Sequence, residues 1–284
     1  MISFIGIFVV LGSVIAGYVM HHGNLAVLNQ PHEFVIIFGA AIGSLVVSTP
    51  MKVTKDMIGQ IKGLLGARPG KKEYLELLTL QYELFQLAQR SGLLGWEEHI
   101  NDPAKSSIFA KYPAVLKDHH ALEFMTDTMK VVVSGSADPH DLENLMDADM
   151  ETVHAEEGKA PAALSSVADA LPGLGIVAAV LGIVITMEKI DGPPSEVGMS
   201  VASALVGTFL GILMSYGVFS PLATAMGHRN TELGKFVDCI KQGLLAHAKG
   251  VSPSIAVEFA RRSITTHERP SFDELEKACR AAKG

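Results

Sequence analysis

The chain has 284 residues, 48% apolar, 19% charged and 6% aromatic, and 23 basic against 30 acidic side chains leave a formal charge of −7. Charge below the roughly 25% of an average soluble domain, with a positive mean hydropathy, leans toward a membrane protein. Overall acidity argues against a nucleic-acid binder with a basic face, and Cys239 and Cys279, far apart, make neither a disulfide framework nor a metal cluster and fit a reducing compartment.

The charges are unevenly placed. Glu33 is the one formal charge in residues 1–51, and residues 197–228 carry none. A bilayer core about 30 Å thick needs roughly 20 apolar helical residues, and four segments approach or meet that length: 2–20, 33–49, 164–187 and 196–221. The first reads as a span rather than a cleaved leader, because no Lys or Arg precedes it and no small-residue cleavage site stands out. The second and third are short enough for buried core helices, but their pairing with the first and fourth favours the membrane. Lys and Arg number 0 in residues 21–32, 1 (Lys189) in 188–195, 12 in 50–163 and 10 after Pro221. Positive residues are retained on the cytoplasmic side, so both termini and the large loop are expected in the cytoplasm.

Four regions follow: a hairpin of spans at 1–50, a cytoplasmic helical domain at 51–163, a second hairpin at 164–222 and cytoplasmic C-terminal helices at 223–284. In the first cytoplasmic region Leu77, Leu80, Leu84 and Leu87 recur at helical spacing, with Gly92 placed as a C-terminal cap. Asp102 before Pro103 and Asp138 before Pro139 are helix-start signatures. The second opens a helix whose Leu142, Leu145, Met146, Met150 and Val153 form one stripe, and Gly158 and Pro161 are expected to separate it from the third span or bend it there. Leu233, Phe236, Ile240 and Leu244 repeat the pattern in the tail. No strand hairpin is apparent, so the fold expected is all-α.

Small residues line the spans: Gly39 and Gly43; Gly175, Ala178, Ala179 and Gly182; Ser203, Gly207, Gly211 and Ser215. Such ridges let helices pack backbone to backbone in lipid; packing within the chain is expected for at least half of them, and the length of the fourth-span ridge suggests contact with another subunit or a partner helix. A mid-membrane acid, His or Lys marks an ion carrier; here the nearest candidates are Glu33, at the outer edge of span two, and Asp169, near the inner edge of span three. The middle of each span is unarmed, so a scaffold of this kind borrows its ionisable group from another chain. No catalytic set fits: the histidines are scattered, Gly173-Leu-Gly175 has no phosphate-loop continuation, and no cofactor or metal site is indicated. Pro172 and Pro221 each remove a helix N–H. They read either as span-end punctuation or as a hinge pair at the cytoplasmic mouth of a conduction path.

The segments 171–180, 206–213 and 216–224 resemble the third and fourth spans of the MotA family of flagellar-motor stator subunits, in the MotA/TolQ/ExbB proton channel superfamily. The likeness extends to 30–37, 108–113, 256–259 and 268–272, covering nearly the whole chain in order, spacing and topology. It implies a ring of this chain, a pentamer, around a dimer of MotB, whose single span carries the proton-accepting aspartate. It also implies contact by charge with the rotor protein FliG. The family's rotor-contact Arg falls on Arg90, and its Glu on Glu97 or Glu98. Pro172 and Pro221 match the family's functional pair, which favours the hinge. Sodium-driven relatives carry a Thr where this chain has Ala179, seven residues after Pro172; a methyl group cannot replace an oxygen ligand, so protons are the expected ion, with Thr208 the remaining hydroxyl facing the pathway. Two rivals remain: an ExbB- or TolQ-like energiser of an envelope-spanning system, and a membrane enzyme sited in 51–163. The extra N-terminal hairpin and the motif at 268–272 favour the motor.

Overall fold

The computed structural model describes residues 2–135, 138–188 and 190–282; Lys189, counted above between spans three and four, lies outside them. Every regular element among the described residues is helical. Four helices are long and apolar enough to cross a membrane, within Ser3–Met20, Leu25–Ser48, Pro139–Met187 and Pro194–Ala248, so the protein is an all-α membrane protein. Start signals sit where local chemistry places them. Pro31 opens Pro31–Ser48 at a position where a missing N–H costs nothing. Asp138 Oδ1 accepts from the His140 and Asp141 N–H groups at 2.8 and 2.9 Å, and Gly92 ends Lys71–Ser91 at φ 75°, a conformation open mainly to glycine.

The chain folds into two compact units, Met1–Ala67 with Glu156–Arg229, and Arg68–Ala155 with Asn230–Gly284. In the first, Ile37 and Ala41 of span two meet Leu171 and Ala178 of span three and Leu210 of span four. Met57 and Leu64, C-terminal to span two, pack with Ala160, Leu164, Leu222 and Met226. In the second unit the leucine stripe of Lys71–Ser91 and the tail face of Phe236, Ile240 and Leu244 share one core with Ala256, Val257 and Leu275. Both cysteines are buried there, and among the described residues neither forms a disulfide.

Four expectations change. Pro139–Met187 is one unbroken helix of 49 residues, so neither Gly158 nor Pro161 breaks it. Pro161 lacks the N–H that would bond the Glu157 carbonyl, and the Gln60 side chain supplies a donor to that oxygen at 3.1 Å instead. Pro103–Lys105 is a turn after the helix Glu97–Asn101, so Asp102 ends a helix rather than starting one. Leu145 is exposed while Leu142 and Met146 are buried, which narrows the acidic helix's stripe. Pro221 does not close a helix: Pro194–Met214 continues through a single wide turn, Ser215–Phe219, into Ser220–Ala248. There Ser220 N–H reaches back five residues to the Ser215 carbonyl, the widened ladder expected where a proline ring displaces the normal bond.

Candidate functional site

The small residues of spans three and four meet along one seam inside the chain. A Cβ built on Gly182 would stand 2.8 Å from Ala204 Cβ; on Gly175, 2.7 Å from the Gly207 carbonyl; on Gly211, 2.5 Å from the Leu171 carbonyl. On the fourth-span ridge, Gly207 and Gly211 are met by span three and Ser203 by the Gln30 side chain, which donates to Ser203 Oγ at 3.0 Å. Backbone contact this close is what lets apolar helices associate in lipid.

Glu33 enters the same seam. Its residue is 7% exposed, and a Cβ on Gly207 would lie 2.5 Å from its Oε2, while one on Gly182 would lie 3.5 Å from its Oε1. Oε2 is enclosed and has no hydrogen-bond partner among the described residues. Glu33 stands in the first turn of span two, at its outer edge as the sequence places it, and its carboxyl reaches between spans three and four. An enclosed polar group without a partner costs about 1–3 kcal/mol, and glycine in a helix interior costs about 1 kcal/mol against alanine. The chain accepts both costs here. The one signal in the sequence is that Glu33 is the lone charge of residues 1–51.

Leu171, adjacent to Pro172, packs on Gly211, while Leu222, adjacent to Pro221, belongs to a separate cluster with Ala160, Ala163 and Leu164. Ten residues of helix, roughly 15 Å, separate Gly211 from Pro221, so the two prolines do not meet within one chain. Pro172 is half-buried and removes the N–H that would reach the Ala168 carbonyl; among the described residues no side chain replaces it as Gln60 does at Pro161. Asp169 is exposed, Ala179 is buried, and Thr208 is half-buried with its Cα 3.3 Å from a Cβ built on Gly175.

In the other unit Arg90 lies in the last turn of Lys71–Ser91, and Glu97 and Glu98 open the short helix Glu97–Asn101. All three are exposed, and among the described residues none forms an ion pair, so their charges remain available to a partner. Between them the turn Leu93–Trp96 is closed by Trp96, fully buried, whose Nε1 donates to the Leu84 carbonyl at 2.6 Å. The indole packs at 5.3 Å from His247, which in turn stacks on Phe85 at 4.5 Å. His247 Nδ1 is enclosed and has no hydrogen-bond partner among the described residues, and burial holds the imidazole below its ordinary range. Neither Trp96 nor His247 stands out in the sequence, because nothing local reveals their contact.

The quoted tail motifs are structural clamps. Arg261 donates to both oxygens of Glu258 at 2.7 Å and to the Pro270 carbonyl at 2.9 Å. Ser271 caps Phe272–Ala281 by exchanging bonds with Glu274. At the 108–113 motif Lys111 and Tyr112 both donate to the Glu83 carboxylate, at 2.8 and 2.7 Å.

The chain matches the family described as Motility protein A N-terminal over residues 4–92 and the MotA/TolQ/ExbB proton channel family over residues 117–237. It is 43% identical over 292 residues to Motility protein A of Escherichia coli strain K12, covering 100% of this chain and 96% of that one. It is 37% identical to Chemotaxis protein LafT of Vibrio parahaemolyticus over 276 residues, covering 97% of each. Its fold is that of the C. jejuni MotAB structure, at a TM-score of 0.79 and 19% identity over 95% of this chain and 98% of that chain. The MotAB stator complex of Bacillus subtilis matches at 0.75 and 22% identity, over 97% and 98%.

Proposed function

The chain belongs to the Motility protein A family and is a stator subunit of the bacterial flagellar motor, and on that premise we propose that it conducts protons together with MotB and turns their flow into torque. The observation that carries this reading is the end-to-end similarity at 43% identity, which takes in both hairpins and both cytoplasmic regions. An ExbB- or TolQ-like energiser resembles this family mainly in the last two spans, and here the match over residues 4–92 includes the first hairpin. No enzymatic activity and no cofactor is assigned to the chain.

Five copies form a ring around a MotB dimer in the inner membrane, with both termini in the cytoplasm. A proton from outside neutralises the partner's aspartate. The neutral acid no longer favours its previous polar contact with the ring, and the ring steps. Release follows toward the cytoplasmic mouth marked by Pro172, Asp169 and Pro221. Each charge crossing 100 mV delivers about 2.3 kcal/mol, several times thermal energy. The exposed Arg90, Glu97 and Glu98 meet FliG by charge. Ala179 presents a methyl group where a sodium site needs an oxygen, and Thr208 alone does not complete a shell of several oxygens, which supports protons as the coupling ion.

The test is to express the chain with its MotB in cells lacking their own stator subunits. Swimming is expected to return, to persist when sodium is removed and to stop with a protonophore. Motility that required sodium and survived the protonophore would overturn the ion assignment, and no motility at all would overturn the stator reading.

A further inference from the structure

The carboxyl of Glu33 occupies a seat built from glycines. Its two oxygens face two different glycines, Oε1 toward Gly182 of span three and Oε2 toward Gly207 of span four, and a methyl on Gly207 would take the place of Oε2. Packing alone does not call for an acid here, since an apolar side chain would fill the same space without an unbonded oxygen. Ionisable groups inside a bilayer are expensive and kept for use. The seat also lies on a continuous line. Along the seam from its outer end come Gly182 with Ala204, Ala178 with Gly207, Gly175 with Thr208, and Leu171 with Gly211 beside Pro172. Glu33 sits in the outer part of that line, and the proposed release region lies at the other end.

We infer that Glu33 is a second proton-holding group of the conduction route, an intake carboxyl upstream of the partner's aspartate, seated by Gly182 and Gly207. The inference rests on the stator reading above. A proton from the outer aqueous phase adds to the Glu33 carboxylate and gives the neutral acid. The acid then passes that proton to the partner's carboxylate and returns to its starting form, so one positive charge has moved inward and the chain is unchanged. The unbonded Oε2 is the lone pair that receives it. Among the described residues, the titratable group facing Glu33 is His32 on its own helix; Gly182 and Ala178 of span three and Ala204 and Gly207 of span four bring none.

The experiment is proton flux through the whole complex with its partner, reconstituted in vesicles holding a pH-sensitive dye, under an imposed potential and across a range of external pH. Glu33→Gln fills the same volume but takes no proton; it is expected to lose at least about tenfold in flux at unchanged yield of complex. Glu33→Asp is expected to conduct with a displaced pH midpoint. Flux through Glu33→Gln within twofold of the unaltered protein at every pH would reduce Glu33 to a packing group and overturn the inference. If Glu33→Gln does not assemble, the aspartate variant decides: a displaced midpoint supports the intake role and an unchanged one overturns it. Absence of proton flux in the unaltered complex would overturn the stator reading, and this inference with it.

Discussion

Removing the indole of Trp96 is expected to loosen the segment that presents Glu97 and Glu98 while leaving the rest of its unit, Arg68–Ala155 with Asn230–Gly284, folded. Trp96 is fully buried and its Nε1 bonds the Leu84 carbonyl at 2.6 Å. In Trp96→Phe that carbonyl keeps its ordinary helical partner within Lys71–Ser91, so it is not orphaned and the lost bond costs about 1 kcal/mol. The space left by the missing ring adds about 1–2 kcal/mol, for a total of about 2–3 kcal/mol. Because each 1.4 kcal/mol is about tenfold in an equilibrium constant, opening of the turn should become roughly 30- to 150-fold more frequent if it opens as a local unit. Trp96→Ala, at about 3–5 kcal/mol, consumes much of the stability of a whole domain, about 5–15 kcal/mol, so the phenylalanine variant is the informative one. Hydrogen exchange of the intact complex in detergent reads the effect at the amides of residues 93–101, with Pro253–Ser263 as the internal control. Swimming speed should fall in parallel. Exchange at 93–101 within twofold of the unaltered protein, with full motility, would refute the idea that Trp96 fixes the turn before Glu97 and Glu98.

Arg90→Glu should abolish swimming while the complex still reaches the membrane, since substitution of an exposed charge usually changes stability by less than about 0.5 kcal/mol; charge reversal on FliG should restore part of the motion. Normal swimming in the single variant would remove Arg90 from the rotor contact. Pro172→Ala restores an N–H aimed at the Ala168 carbonyl, and it should stiffen span three and lower torque under load. Unchanged torque in a tethered-cell measurement would show that the hinge is not needed. Acid should weaken the unit that holds His247 and Glu258 in two windows. Burial holds His247 below its ordinary range, so the unfolded chain takes up a proton below about pH 6.5 that the folded one refuses. That contribution is complete above this pH and declines as pH falls. Hydrogen bonding from Arg261 and Arg262 holds Glu258 below its ordinary range, so its contribution is lost at lower pH, below about 4.5. Melting temperatures of the complex should fall from pH 7 to 5, and His247→Phe should flatten that decline; an unaltered slope would exclude His247 as its source.

Local features were open to sequence reasoning because their causes lie within a few residues. The spans follow from apolar runs measured against bilayer thickness, Gly92 from a helix end that needs positive φ, and Asp138 from a cap two and three residues away. The same local rule failed at Asp102, where the chain turns through Ser106, whose Oγ accepts from the Ile108 and Phe109 N–H groups at 3.2 Å. Spacing also showed that Gly175, Gly182, Gly207 and Gly211 form packing faces, although not what those faces hold.

The amino-acid sequence by itself determined the membrane class, the four spans, the helical character of the regions outside them and the family, since each is written in composition, period or contiguous motif. Only the tertiary structure decided that Glu33 fills the space left by Gly182 and Gly207, that Gln60 repairs the helix at Pro161, and that Trp96 meets His247. Residues 33 and 207, 60 and 157, and 96 and 247 are far apart along the chain. The steric space and the hydrogen-bond partners that define their roles come into being only when the helices pack.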